Sequence, residues 1–181
     1  LTDKQFSLPR VSTPYFQIGV PRQKLAKGDL QALRQILQAD LGLVTLGELP
    51  VRAHHSVGNF LEKLNWPVFA DTTSGFRFGH LTQRIDLADQ LLLQDHWRKA
   101  EPEAWIHLGN QYVSKRWLQW WQACDSTLKI VITNHSDRQD PSQRSQWRLQ
   151  LDWEELEEIL PLTGASPARI QWLEQWKLGS Q

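Results

Sequence analysis

Methionine is absent from the 181 residues and cysteine occurs once, at Cys124. A single cysteine excludes an intrachain disulfide, so no covalent staple supplements the core; one unpaired cysteine also fits a reducing, cytoplasmic setting. Cys124 falls on the apolar stripe of an expected helix, which favours core packing over a reactive thiol. No apolar run approaches the length of a membrane span. An excess of charge of one sign is missing too. The 20 basic and 20 acidic residues sum to zero, whereas a dedicated nucleic-acid binder usually carries a basic excess. The lack of Met, with Leu1 at the first position, gives the expectation that the chain is an excerpt or a processed product of something longer.

What is abundant is tryptophan, ten in all. A residue this large and this rarely used anchors cores and interfaces. The length suits one domain. Pro9, Pro14 and Pro21 punctuate residues 1–27, which read as an extended linker, leaving 28–181 as the folded unit. Helical spacing predicts helices over 29–39 with Asp29 as N-cap, 56–64, 85–93 and 115–124. A capping box at Asp152 and Glu155 predicts another helix, and Ser166-Pro167 the last. Short apolar runs predict strands at 42–46, 67–70, 104–108 and 128–133, with a weaker one at 147–151. The alternation implies an α/β fold: a Rossmann-like three-layer domain, its parallel sheet covered by helices on both faces.

Ligands of such sheets bind outside the carboxyl ends of the strands. After the first expected strand the chain reads Gly47-Glu-Leu-Pro-Val-Arg, without the second and third glycines of a dinucleotide fingerprint. Glu48 and Pro50 would repel and crowd a pyrophosphate. After the second comes Asp71-Thr-Thr-Ser-Gly75-Phe-Arg77, hydroxyls and an Arg that suit a carboxylate or a solvated turn equally well. After the third comes Ser114-Lys115-Arg116. Two cations at a helix start oppose the helix dipole, so either an anionic partner balances them or water does. His54, His55 and His80 lack zinc spacing and read as surface-loop residues. The glutamates 154, 155, 157 and 158 read as a solvated helix face. Ser74 and Ser114 lack a nucleophile-elbow context.

Leu64-Asn-Trp-Pro-Val-Phe-Ala-Asp71 with Ser74-Gly75-Phe76-Arg77 resembles the middle domain of thiamine-diphosphate-dependent enzymes, in particular the 2-succinyl-5-enolpyruvyl-6-hydroxy-3-cyclohexene-1-carboxylate (SEPHCHC) synthase family. That family keeps Gly-Trp-Pro-Leu/Ile-x-(Gly/Ala)-Asp, so Asn65 replaces its glycine. Leu108-Gly109, Ser114-Lys115-Arg116 and Leu118-Gln119-Trp120 resemble its Leu-Gly, Gly/Ser-Lys and Leu-Gln-Trp pattern. Arg138-Gln-Asp140-Pro141 resembles its Arg-x-Asp-Pro.

The resemblance implies a three-domain, homo-oligomeric enzyme in which two other domains hold thiamine diphosphate and Mg2+. Neither the catalytic Glu context nor the Gly-Asp-Gly of that cofactor site is present here, so the chain is expected to bind no cofactor and no metal itself. The family decarboxylates 2-oxoglutarate and adds the product carbanion to isochorismate, in menaquinone or phylloquinone synthesis. Lys115 matches the family lysine that faces the active-site cleft, with Arg77 and Arg116 as further substrate-binding candidates. Two other readings remain open: a degenerate nucleotide- or FAD-binding module, and an interaction protein using its Trp surface.

Overall fold

The computed structural model describes residues 24–137, 140, 142–160 and 164–181. Five strands, β1 (Gly42–Leu46), β2 (Val68–Ala70), β3 (Ala104–Leu108), β4 (Leu128–Thr133) and β5 (Trp147–Gln150), form one sheet. Its order is β2-β1-β3-β4-β5, and every pairing is parallel. Strand order reverses between β1 and β3, which makes the carboxyl ends of these two strands the topological switch point.

Helices α1 (Lys27–Ile36), α2 (His54–Leu64), α3 (Ala88–Leu91), α4 (Asp95–Arg98), α5 (Lys115–Ala123), α6 (Leu156–Ile159) and α7 (Pro167–Gly179) complete the described elements. Alternate strand residues point to opposite faces. Val44, Leu46, Val68, Ile106, Ile130 and Ile132 pack against α1, α2 and α6. Leu43, Phe69, Trp105 and Val131 pack against α3, α5 and α7. The sheet is therefore covered on both faces, as the alternation of short apolar runs and helical stripes predicts.

Several boundaries differ from expectation. Helix α1 starts at Lys27 with Ala26 at its N-cap, and Asp29 lies in its first turn. There its carboxylate still favours the dipole without capping. The helix expected over 85–93 shrinks to Ala88–Leu91, because residues 83–85 run along β2 instead. The Val68 N–H donates to the Gln83 carbonyl at 2.9 Å and the Ile85 N–H to the Val68 carbonyl at 2.9 Å. Backbone pairing that covers a sheet edge outweighs the local helical pattern. Asp152 makes no side-chain cap hydrogen bond; a 3-10 turn over Trp153–Glu155 precedes α6, so the capping box does not form. At α7 the expected cap is present, Ser166 Oγ accepting from the Arg169 N–H. Helix α4 carries no signal that periodicity detects. Of the proposed linker, residues 1–23 lie outside the described residues, and Lys24 pairs with Glu155 at 3.3 Å.

Asn65 ends α2 in the left-handed region, φ 55°. Asn is the residue that tolerates this conformation best after glycine, which explains how it stands where the related family keeps Gly. The amino edge of the sheet is closed by Trp66 and Arg169. The Arg169 guanidinium donates to the Leu37, Ala39 and Leu64 carbonyls, capping α1 and α2 together, and lies 5.8 Å from the Trp66 ring. A Cβ on Gly42 would sit 1.9 Å from that ring.

Candidate functional site at the carboxyl edge

Loops leave the carboxyl edge after β1, β2 and β3, and the first and third are locked together. The Gly47 N–H donates to the Leu108 carbonyl at 2.9 Å and the Asn110 N–H to the Glu48 carbonyl at 3.0 Å. A Cβ on Gly47 would lie 1.8 Å from the Asn110 carbonyl oxygen, and one on Gly109, itself at φ 93°, 2.5 Å from that of Glu48. The switch-point crevice is thus filled by the chain's own backbone, with no room for a pyrophosphate between β1 and β3.

A directed chain of hydrogen bonds fixes this plug. Trp105 Nε1–H donates to Thr45 Oγ1 at 3.1 Å. His107 Nε2 lies 2.8 Å from the Asn110 carbonyl, so it must carry the proton. Nδ1 is then the acceptor for the Thr45 hydroxyl, 3.1 Å away. The Ile106 carbonyl, 3.5 Å from the Thr45 hydroxyl, is a longer second acceptor for it. Burial pushes the His107 pKa down to about 4, against weaker opposing contributions from its hydrogen bonds and from Asp140 and Asp71. The ring is therefore neutral at pH 7. Asn110 also joins His135 Nε2 through Oδ1 and donates to Glu48 at 3.2 Å. None of this was visible in the sequence, where His107 is one residue of an apolar run.

The loop after β2 is organised by Asp71. One carboxylate oxygen accepts from the Thr73 N–H and from the Thr72 and Thr73 hydroxyls; the other accepts from the Val113 N–H at 3.1 Å. Burial pushes this carboxyl up, but those hydrogen bonds outweigh it and hold the pKa below its ordinary value. Asp71 thereby ties the loop after β2 to the loop after β3. Gly75 turns at φ 78°, and a Cβ there would lie 2.3 Å from the His54 ring.

The cations sit on this frame. Lys115 is the first residue of α5, whose N-cap is Ser114; it is exposed and makes no hydrogen bond or ion pair among the described residues. Arg116, next to it, pairs with Asp89 at 3.2 Å and faces a groove of about 450 Å³ between α3, α4 and α5. Arg77 is half-buried and makes no hydrogen bond or ion pair among the described residues. It acts electrostatically on Tyr112, whose phenol burial pushes up, with Asp71 and Asp89 adding to the shift and Arg77 opposing it. Tyr112 also stacks on Trp117 of α5 at 5.0 Å, centre to centre. Arg52, in the 3-10 turn after β1, is exposed and has no hydrogen bond or ion pair among the described residues. Sequence reading passed over it, although it too follows a strand. Around these cations Val51, Phe78 and Val113 are 82%, 91% and 72% exposed, one apolar side chain from each of the three loops.

The remaining candidates lie elsewhere or do other work. His54 and His55 open α2 rather than a loop, and the His54 ring packs edge-on against Phe76. Cys124 is buried, and burial pushes its pKa up to about 11, which leaves it an inert thiol. Arg138 and Pro141 lie outside the described residues. Asp140, between them, accepts from Ser142 Oγ and from the Ser145 N–H and Oγ. No group of three or more His, Cys, Asp or Glu side chains that could hold a metal is found among the described residues. With the crevice plugged, the described residues between β1 and β3 leave no space there for a diphosphate–magnesium group. No helix of the described residues is long and apolar enough to cross a membrane.

Comparison with known proteins agrees with this architecture. Protein PHYLLO, chloroplastic, of Arabidopsis thaliana is 28% identical over 76% of this chain and 9% of its own. SEPHCHC synthase of Serratia proteamaculans is 26% identical over 83% of this chain and 26% of its own. The Bacillus cytotoxicus enzyme of the same name is 27% identical over 61% of this chain and 20% of its own. The chain spans about a quarter or less of the length of these relatives. Among solved structures, the Vibrio vulnificus NanR protein complexed with ManNAc-6P superposes with a TM-score of 0.41 and 7% identity, over 84% of this chain and 53% of that one, too loose a likeness to bear on fold or function. The family described as the middle domain of thiamine pyrophosphate matches residues 10–179. With a five-stranded parallel sheet, helices on both faces and a match over nearly its whole length, the chain belongs to the family of middle domains of thiamine-pyrophosphate-dependent enzymes.

Proposed function

We propose that residues 28–181 are the middle domain of a longer SEPHCHC synthase, with 1–27 as the linker leading into it. The full-length, homo-oligomeric protein then acts in the cytoplasm as a transferase of menaquinone or phylloquinone synthesis. It decarboxylates 2-oxoglutarate and adds the four-carbon unit to isochorismate, with thiamine diphosphate and Mg2+ held by the other two domains. The observation that carries the reading is Lys115: an exposed ammonium without a partner among the described residues, held by a capped helix start at the carboxyl edge of the sheet. Both substrates are carboxylates. A cation preorganised beside their cleft attracts and orients them without reorganising when they arrive.

In this reading Lys115 and Arg77 contact substrate carboxylates directly, and Arg116 is the third cation of the group. Val51, Phe78 and Val113 are covered by the other domains of the same chain, which accounts for three apolar side chains left in water on one edge. A nucleotide- or FAD-binding role would require the Gly47 and Gly109 loops to part.

Lys115→Ala in the full-length protein should weaken kcat/KM for an anionic substrate by about 2–5 kcal/mol if the pair is desolvated. Stability should change by less than about 0.5 kcal/mol, as expected for an exposed residue. Steady-state kinetics with each substrate decide the matter, and unchanged constants for both would remove Lys115 from the site. The 181-residue chain alone should not consume isochorismate with 2-oxoglutarate, since in this reading the cofactor is held by the other two domains.

A further inference from the structure

The start of α5 already holds a carboxylate, and it is the chain's own. Asp89 of α3 accepts from Ser114 Oγ with one oxygen and from Arg116 Nη1 with the other, at 3.2 Å. Ser114 Oγ in turn accepts from the Trp117 N–H, so Asp89 grips the capping residue and the second residue of the helix together. Both donors to Asp89 are side chains, a hydroxyl and a guanidinium, and a foreign carboxylate could use the same pair. Lys115, between the two gripped residues, is left out of it. The side chains of Arg116 and Asp89 are 48% and 42% exposed, so the pair is weak and opens at small cost.

On the reading of the carboxyl edge as a substrate-facing mouth, we propose that Asp89 is a positioning residue that sets the affinity of this mouth for its anionic substrate. It engages the Ser114 hydroxyl and holds Arg116 back against α3, and leaves Lys115 as the free cation of the adjacent pair. Asp89 touches no reacting atom; it acts through the cation it neutralises.

The test uses the full-length protein with Asp89→Asn, Lys115→Ala and the double variant. Asn keeps an acceptor for the Ser114 hydroxyl, so the helix cap survives while the charge is removed. Asp89→Asn should lower KM for an anionic substrate about two- to five-fold at low salt, the scale of one exposed charge pair. The effect should vanish near 1 M salt, where screening acts over about 3 Å. In the Lys115→Ala background the same change should restore part of the lost affinity, because Arg116 is released.

A merely structural Asp89 gives the opposite sign: KM rises, salt does not matter, and the thermal midpoint falls. That result, or an unchanged KM at both salt concentrations, overturns the inference. If Lys115→Ala raises KM while Asp89→Asn leaves it unchanged, the Asp89 role alone fails. If Asp89→Asn lowers KM while Lys115→Ala changes nothing, the Asp89 role stands, and Lys115 gives way to Arg116 as the substrate cation.

Discussion

One face of the sheet presents aliphatic side chains to α1, α2 and α6, with Val44, Leu46, Ile106, Ile130 and Ile132 at its centre. The other presents Thr45, Trp105, His107, Lys129 and Thr133 among its buried residues and gathers Trp117, Trp120, Trp121 and Trp176 from the helices above. The aliphatic face buries no polar strand side chain at its centre, and its hydrogen bonds, such as those from Arg34 to the Glu158 and Ile159 carbonyls, lie at its rim. The aromatic face carries a directed polar chain that ends on the Asn110 carbonyl, one loop away from the cations. Rings explain why polar groups can be buried there: Trp105 lies 4.5 Å from Trp120 and 5.0 Å from Trp121, centre to centre, and its N–H completes the Thr45 hydroxyl. The face that reaches the candidate site is the one that buries hydrogen bonds at its centre, because burial fixes distance and hydrogen bonds fix direction.

The largest expected difference between the faces is at neighbouring residues of β3. Trp105→Ala should cost about 3–5 kcal/mol, since it opens a cavity and strips Thr45 of its donor. Ile106→Val, one residue along on the other face, should cost about 0.5–1.5 kcal/mol. Denaturant midpoints measure both. Equal losses would mean that the polar chain adds nothing to packing.

The next effect is a pH dependence that belongs to the aromatic face alone. The folded-state pKa of His107, about 4, lies below the unfolded value near 6.5. As pH falls from 6.5 to 4 the unfolded chain takes up a proton that the native state refuses, so stability falls through that window and then levels off. The loss is on the order of 3 kcal/mol, at 1.36 kcal/mol per unit. Asp71 and Asp140, whose pKa values are lowered, contribute their loss in a separate window, below about pH 4. Unfolding measured between pH 7 and 4 should therefore flatten in a His107→Gln variant, while the acid limb below pH 4 remains. A His107 ring that titrates near 6.5 by NMR would break the argument.

Smaller in stability but closer to the site is Gly47→Ala. A Cβ 1.8 Å from the Asn110 carbonyl must push the two loops apart, at about 1–3 kcal/mol. In the full-length protein this should reduce kcat/KM more than stability predicts, because Asn110 leads directly into the Lys115 turn. An activity loss that only tracks unfolding would uncouple the plug from the site.

The sequence by itself determined the layer architecture. Runs such as Leu43 to Leu46 and Ile130 to Thr133 and stripes such as Trp117, Trp120 and Trp121 fix which elements exist and which face of a helix is buried, because burial follows local periodicity. It also placed Lys115 at a helix start, since Ser114 is a local cap signal. Only the tertiary structure decided the partners. That Asp89 neutralises Arg116 and not Lys115, that His107 reaches Asn110, and that residues 83–85 pair with β2 instead of entering a helix all depend on groups brought together from different elements. Hydrogen bonds and ion pairs depend on the meeting of such groups at the right angle and distance, and a linear pattern of residue types carries no record of that geometry.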